Sequence, residues 1–133
     1  MLLLRKQTDS EQDIDEEDLS EEAPEEEEEK LYCAKCGRLI TKGTWRISMS
    51  GGHEHTFFNP SGMIFKLFCF KEAPGVRGQG APSSEFTWFK GYKWQVVHCA
   101  SCSKQMGWRF MGSRAPRVFF ALIQSKLINR KPE

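Results

Sequence analysis

The chain has no apolar run long enough to cross a membrane. A membrane-spanning helix needs about 20 consecutive apolar residues, and no stretch of the sequence approaches that length. The apolar start, Met1 to Leu4, is also too short for the core of a secretory signal peptide. The sequence as given therefore predicts an intracellular protein with no membrane partner, or a secreted one if its start is truncated.

Acidic residues are scarce in most of the 133-residue chain. Residues 9–29 hold 14 of the 18 Asp and Glu residues, whereas residues 31–133 hold 4 of them with 16 of the 19 Lys and Arg residues. The first 30 residues also lack aromatic side chains, so they cannot bury enough apolar surface to offset their ordering entropy. We predict a disordered acidic tail over residues 1–30, which either solvates or shields a basic folded domain over residues 31–133.

Short runs rich in Val, Ile, Phe and Trp alternate with Gly, Pro and Ser in the predicted domain. This pattern is typical of a mostly β domain with little helix. The predicted strands are Thr44–Met49, His55–Phe58, Met63–Phe70, Glu85–Phe89, Lys93–His98 and Met106–Met111. Residues 74–84 are predicted to be turns, and residues 117–128 a strand that gives way to a short helical turn.

Four of the five cysteines form two Cys-x-x-Cys pairs, Cys33 with Cys36 and Cys99 with Cys102. Such pairs favour a metal site over a disulfide framework. Four thiolates can close a tetrahedral shell, which is the usual arrangement of structural zinc. One structural Zn²⁺ is therefore the predicted cofactor. The fifth cysteine, Cys69, lies in an apolar run and is predicted to be a buried thiol.

Three tryptophans, Trp88, Trp94 and Trp108, lie close to the second cysteine pair. Alternate residues of a strand share a face, which would pair Phe86 with Trp88 and Trp108 with Phe110. A turn after Trp88 would bring it towards Trp94, and the metal would hold the last two strands together. These rings could be ordinary core, a cage for a methylated ammonium group or a slot for a small flat ring.

Taken together, these motifs resemble the CULT domain, which is the thalidomide-binding domain of cereblon. The resemblance covers about residues 31–130 and is carried by Cys33-x-x-Cys36, Asn59-Pro60, Glu85-Phe86-Thr87-Trp88-Phe89-x-Gly91-Tyr92-x-Trp94, Cys99-x-x-Cys102 and Gly107-Trp108-x-Phe110. It implies a β-tent fold, in which one four-cysteine zinc site pins two roughly orthogonal antiparallel sheets.

The resemblance also implies a ligand site. Its implied residues are Asn59, Pro60, Glu85, Phe86, Trp88, Trp94, Trp108 and Phe110. The three tryptophans would form a cage with Phe110 as its floor, and the first two residues would flank its mouth. The ligand would be a cyclic imide such as glutarimide, bonded to the backbone of Phe86 and Trp88. Uridine-like rings and C-terminal cyclic imides on proteins are further implied ligands.

The chain departs from cereblon in two respects. It has Phe86 where animal cereblons have His, which should change side-chain contacts to ligand substituents. Nothing in it resembles the Lon-like domain of cereblon or the segment that docks on the ubiquitin-ligase adaptor. We therefore predict a stand-alone, monomeric CULT protein that does not dock on that adaptor.

Three other functions compete with a non-catalytic binding module. A type B methionine sulfoxide reductase has the same fold class, but it needs a nucleophilic cysteine near its pocket, and only Cys69 is spare. Single-stranded nucleic acid would suit a basic, aromatic domain, but the Lys and Arg residues are scattered along the chain. A methyl-lysine reader is disfavoured because Glu85 is the only acidic residue in the matched aromatic strings.

Overall fold

Two antiparallel β-sheets make up the part of the chain that the computed structural model describes, residues 28–130. The strands are β1 (Lys30–Cys33), β2 (Leu39–Lys42), β3 (Glu54–Phe58), β4 (Ile64–Phe70), β5 (Val76–Ser83), β6 (Tyr92–Cys99), β7 (Gln105–Gly112), β8 (Val118–Ile123) and β9 (Leu127–Ile128). Short 3-10 turns at Gly43–Trp45 and Gln124–Lys126 follow β2 and β8. The predicted mostly β fold is confirmed.

The smaller sheet has the strand order β9-β1-β2, and the larger has the order β3-β4-β8-β7-β6-β5. Strands β6 and β7, which are neighbours in the larger sheet, set Trp94 opposite Phe110 and Val96 opposite Trp108. Strand β8 continues the sheet by pairing Phe119 with Phe110. These strands are rich in aromatic and β-branched residues, which fit a pleated, half-buried surface.

Two hydrophobic clusters fill the interior. The first contains Ile40, Phe70 and Leu122, and it packs beside Cys33 and Cys99 where the two sheets meet. The second lies against the other face of the larger sheet, and its buried members include Leu67, Phe89, Phe110 and Phe119. Each such side chain contributes about 1.5–3 kcal/mol by leaving water. The second cluster supports the floor of the aromatic site described below.

The strands predicted at β3, β4, β6 and β7 are confirmed, as are the strand and short helical turn near the C-terminus. The strand predicted over Thr44–Met49 is wrong. That segment begins in a 3-10 turn and then contacts the end of β4 irregularly, through a single bridge from Arg46 to Phe70 and a hydrogen bond from the Ile47 amide to the Cys69 carbonyl (3.0 Å). Isolated contacts of this kind do not make a ladder.

Two further predictions from the sequence are wrong. Residues 85–89, predicted as a strand, form a loop of turns and bends, in which Phe86 has φ 54°. The Gly- and Pro-rich residues 76–83, predicted as turns, form strand β5. This strand lies at the edge of the sheet and pairs only with β6, and an edge strand tolerates Pro82 because one row of its N–H groups needs no partner.

The predicted acidic tail lies outside the described residues except at its end. Glu28 accepts a hydrogen bond from Thr44 Oγ1 (2.8 Å), and Glu29 forms an ion pair with Arg46. Strand β1 begins at Lys30, one residue before the predicted start of the folded domain. The division into an acidic tail and a folded domain otherwise stays a prediction. Among residues 28–130, no helix has the length and apolar character to span a membrane.

Candidate functional site

The four cysteines of the two Cys-x-x-Cys pairs come together at one point. Their sulfur atoms all lie within 4.8 Å of one another, with 3.7 Å between Cys33 and Cys102 and 3.5 Å between Cys36 and Cys99. A tetrahedral ion with metal–sulfur bonds of about 2.3 Å requires sulfur–sulfur distances of about 3.8 Å, whereas a disulfide needs about 2.05 Å. The cluster therefore fits one tetrahedral metal ion and contains no disulfide.

Each knuckle is held by its own backbone. The Gly37 amide donates to the Cys33 carbonyl and the Ser103 amide to the Cys99 carbonyl, both at 2.9 Å. Burial opposes ionisation of Cys99, but backbone N–H groups of Cys102 and Ser101, with neighbouring thiols, bring its pKa down to about 7. A thiol with this pKa is partly ionised at neutral pH.

The thiol of Cys36 differs from that of Cys99. A backbone hydrogen bond at Arg38 lowers the pKa of Cys36, but burial and the three neighbouring thiols raise it to about 11. At neutral pH this thiol keeps its proton until a metal displaces it. Zinc, as a thiolate-binding divalent ion, would fit the site, and its chemistry in a closed four-cysteine shell is structural.

The metal centre and the tryptophans share two strands. Strand β6 runs from Tyr92 through Trp94 to Cys99, and β7 carries Trp108 shortly after the second cysteine pair. The two strands pair over seven registered positions. These pairs fix the spacing of Trp94 and Trp108, and the metal site lies at the turn that closes the hairpin.

A cavity of about 310 Å³ opens between this hairpin, the loop over residues 84–91 and the turn between β3 and β4. Its lining residues are Asn59, Pro60, Phe86, Trp88, Trp94, Val96, Trp108 and Phe110. We call this space the aromatic cavity. None of its lining side chains is charged, so it suits a neutral ligand better than an ion.

The indoles of the aromatic cavity are fixed by hydrogen bonds and ring contacts. Trp88 Nε1 donates to the Phe58 carbonyl (2.9 Å), and Trp94 Nε1 donates to the Glu85 carbonyl (2.7 Å). Trp88 also meets Trp108 edge to face, at 4.8 Å between ring centroids and 78° between planes. Such contacts contribute about 0.5–1.5 kcal/mol each beyond the area they bury. These contacts therefore fix the walls of the cavity relative to the rest of the domain.

The loop that carries Phe86 has an unusual backbone. Phe86 has φ 54° and its side chain is 73% exposed, an uncommon conformation for an aromatic residue and one that marks strain. Within residues 28–130, the backbone N–H and C=O groups of Phe86 and Trp88 have no hydrogen-bond partner. The loop then closes in a turn in which the Tyr92 amide donates to the Phe89 carbonyl (3.0 Å). Both Phe86 and Trp88 line the cavity.

Seven of the eight residues expected at the ligand site line the aromatic cavity. The exception is Glu85, whose side chain is exposed and whose backbone carbonyl holds Trp94. Asn59 lines the cavity and also closes the β3–β4 turn, because its Oδ1 accepts from the Met63 amide (2.9 Å). Val96 also lines the cavity, and strand alternation could have indicated it, since it lies two residues after Trp94.

The fold, the four-cysteine cluster and the aromatic cavity together define a class of protein. The chain is a mostly β domain in which a four-cysteine metal site lies at the end of a hairpin that forms one wall of an aromatic cavity. No protein-family model matches the chain.

Several curated proteins named cereblon are similar to this chain. Chicken (Gallus gallus) cereblon is 35% identical over 109 residues, which is 77% of this chain and 24% of cereblon. The cereblons of Drosophila grimshawi and Drosophila virilis are 32% and 31% identical over 107 residues, 76% of this chain and 16–17% of each relative. The resemblance to the CULT domain of cereblon is confirmed: this is a cereblon-like domain, and it spans about a quarter or less of these relatives.

Proposed function

We propose that the aromatic cavity binds a neutral cyclic imide, such as glutarimide, or a related uracil-like ring. One observation carries the proposal: a cavity walled by three tryptophans, with no charged side chain, lies beside the unpaired backbone groups of Phe86 and Trp88. Most small-ligand sites combine such apolar walls with a few polar groups that fix orientation.

The chemistry of an imide matches what the loop offers. An imide has one N–H donor between two carbonyl acceptors, and uracil contains the same arrangement. The loop has free backbone donors and acceptors on Phe86 and Trp88, and the indole faces would cover the ring. A methylated ammonium would be held by the same rings, but the cavity has no carboxylate to balance its charge. We therefore favour the neutral ring.

Zinc is the metal that we propose for the four cysteines, with a structural role. Its support is the closed set of four sulfur atoms, which leaves no open position for a substrate. The ion would tie the turn between β6 and β7 to the first knuckle and so hold this hairpin against the smaller sheet. The metal would stabilise the site and take no part in a reaction.

A binding module is better supported than an enzyme. A reductase of the methionine sulfoxide type would need an accessible thiolate at the cavity. Cys69, the cysteine outside the metal cluster, is fully buried and does not line the cavity, and burial raises its pKa to about 12. We propose that the ligand is bound and released unchanged, either free or as a C-terminal cyclic imide on another protein.

A fluorescence titration tests this proposal. Glutarimide added to the zinc-loaded protein should quench tryptophan emission with saturation, and Trp94→Ala should abolish the effect. Trp45→Phe is the control, because Trp45 does not line the cavity and packs against the first hydrophobic cluster. A folded, zinc-loaded protein that responds to neither glutarimide nor uridine would refute the proposal. Saturable binding of tetramethylammonium alone would favour a methyl-ammonium site instead.

A further inference from the structure

The smaller sheet covers one face of the larger sheet only at one end. Residues directly opposite each other in neighbouring strands share a face. Close to the metal site, Val97 and Leu122 of this face are buried in the first hydrophobic cluster together with Ile40 of the smaller sheet. Towards the other end none of the residues that β6, β7 and β8 place on this face is buried, and we call them the outer face: Lys93, Gln95, Arg109, Met111, Val118 and Phe120.

The outer face combines apolar and positively charged side chains. Val118 is 42% exposed and its ladder partner Met111 is half-buried, whereas Phe110 and Phe119, on the opposite side of the same strands, are fully buried. Lys93 lies opposite Met111 in the ladder and is exposed. Neighbouring exposed apolar side chains with a polar rim are typical of an interaction surface.

Arg109 lies on the central strand of the outer face and has no acidic partner there. Its Nη2 donates to Gln95 Oε1 (2.6 Å), and its Nε is buried without a hydrogen-bond partner within residues 28–130. This part of the chain has no Asp or Glu after Glu85, and none of its ion pairs involves Lys93 or Arg109. Because a guanidinium binds carboxylates through charge-assisted hydrogen bonds, the face fits an acidic partner that also carries apolar side chains.

The segment of the chain that precedes residue 28 has this composition. Residues 9–27 contain 12 of the 18 Asp and Glu residues, no Lys or Arg, and two large apolar residues, Ile14 and Leu19. Both apolar residues lie within residues 13–19, which hold five of the acidic residues. These positions lie outside the described residues. Their sequence complements both the charge and the apolar character of the outer face.

The acidic segment is long enough to reach the outer face. Its end already contacts basic side chains of the domain, because Glu28 forms an ion pair with Lys42 (3.6 Å) and Glu29 forms one with Arg46. Leu19 precedes Glu28 by nine positions, over which an extended chain spans roughly 30 Å. A domain of about 100 residues has a radius of gyration of about 13 Å, so the segment can pass along much of its surface.

We propose that residues 13–19 dock on the outer face of their own chain. Their carboxylates pair with Lys93 and Arg109, and their two apolar side chains cover Met111 and Val118. Exposed ion pairs are individually weak, but the tether gives the segment a high effective concentration. The aromatic cavity stays open, because its wall residues on β6 and β7 project from the opposite side of the sheet.

Paramagnetic relaxation enhancement in the full, zinc-loaded chain tests this contact. A nitroxide attached at Ser20→Cys should strongly broaden the amide signals of Met111 and Val118. It should affect Gly62 little, because the β3–β4 turn lies over the opposite side of the sheet, where it borders the aromatic cavity. Protein that keeps Ser20, treated with the same reagent, is the blank. About 1 M salt should weaken the broadening.

Two variants of the acidic segment leave the domain itself unchanged. The test variant carries Asp→Asn or Glu→Gln at positions 13, 15, 16, 17 and 18, and it should lose the broadening. The matched control carries Glu→Gln at positions 21, 22, 25, 26 and 27, which removes the same charge, and it should keep the broadening. Equal losses in the two variants would indicate diffuse attraction and would overturn the assignment of residues 13–19.

A second pair of variants tests the outer face. Lys93→Gln with Arg109→Gln should remove the broadening, whereas Lys66→Gln with Lys104→Gln, at two exposed cations elsewhere, should leave it. Broadening seen only between a spin-labelled chain and a separate isotope-labelled chain would place the segment on a second copy and overturn docking within one chain. Wild-type protein without broadening would leave the face to a different protein and would also overturn the proposal.

Discussion

The indole of Trp94 both forms a wall of the aromatic cavity and holds the loop that carries Phe86. Its Nε1 donates to the Glu85 carbonyl at 2.7 Å, next to the residue with φ 54°. Trp94→Phe would keep an aromatic ring but remove this hydrogen bond. The loop would then relax towards an ordinary backbone conformation, and the polar groups of Phe86 and Trp88 would lose their fixed position.

The size of the effect follows from the contacts that are lost. A neutral hydrogen bond contributes about 0.5–1.5 kcal/mol, and the smaller ring would bury less apolar surface against the ligand, which is worth a similar amount. The sum of about 1–3 kcal/mol corresponds to an affinity that is about 5- to 150-fold weaker. The global stability should change less, because Trp94 is only half-buried.

Isothermal titration calorimetry with glutarimide measures this change, and urea denaturation of the same samples checks the fold. The matched control is Trp45→Phe, which removes an indole outside the cavity, where it lies 5.3 Å from the ammonium group of Lys42. Trp94→Phe protein that is folded and binds glutarimide as tightly as the wild type would refute the claim that this hydrogen bond organises the site.

Three further predictions concern the frame of the site. Gly107→Ala should lower the free energy of unfolding by about 2–5 kcal/mol. The reason is that Gly107 has φ 154° and a Cβ there would lie 2.2 Å from the Ala121 carbonyl oxygen. A urea denaturation midpoint equal to that of the wild type would contradict this prediction. Cys69 should resist iodoacetamide while the protein is folded, as its pKa of about 12 implies, and rapid labelling of a folded, zinc-loaded sample would contradict it. Chelation of the metal, or Cys99→Ser, should unfold the domain. The reason is that structural zinc contributes on the order of 10 kcal/mol, whereas the net stability of a domain is only about 5–15 kcal/mol. Circular dichroism should show the loss of structure, and a native thermal transition without metal would contradict this prediction.

The parts of the site that depend on local spacing could be predicted from the sequence. Two Cys-x-x-Cys pairs predict one four-sulfur cluster, and the structure brings those sulfur atoms together. Strand alternation places Trp108 and Phe110 on one face, and both line the aromatic cavity. The same rule applied to Trp94 could have indicated Val96, which was not among the predicted site residues. These predictions succeed because the period of a strand needs no knowledge of distant partners.

The parts that depend on distant contacts could not be predicted. The segment 85–89 has the composition of a strand, but the Trp94 indole binds its first carbonyl, and Phe86 takes a left-handed conformation that composition does not indicate. Strand β5 has the composition of a turn, yet it is a strand because β6 offers it a partner at the edge of the sheet. In both segments, tertiary pairing outweighs intrinsic propensity.

A comparison of glutarimide with N-methylglutarimide tests most directly whether the cavity recognises an imide. Methylation removes the single N–H donor and leaves the ring and both carbonyls in place. A backbone acceptor that loses its partner inside a closed site costs about 1–3 kcal/mol. Calorimetry on the zinc-loaded protein should therefore show saturable binding of glutarimide and an affinity for the methylated ring that is at least about tenfold weaker. Equal affinities, or no binding of either ring, would contradict the account.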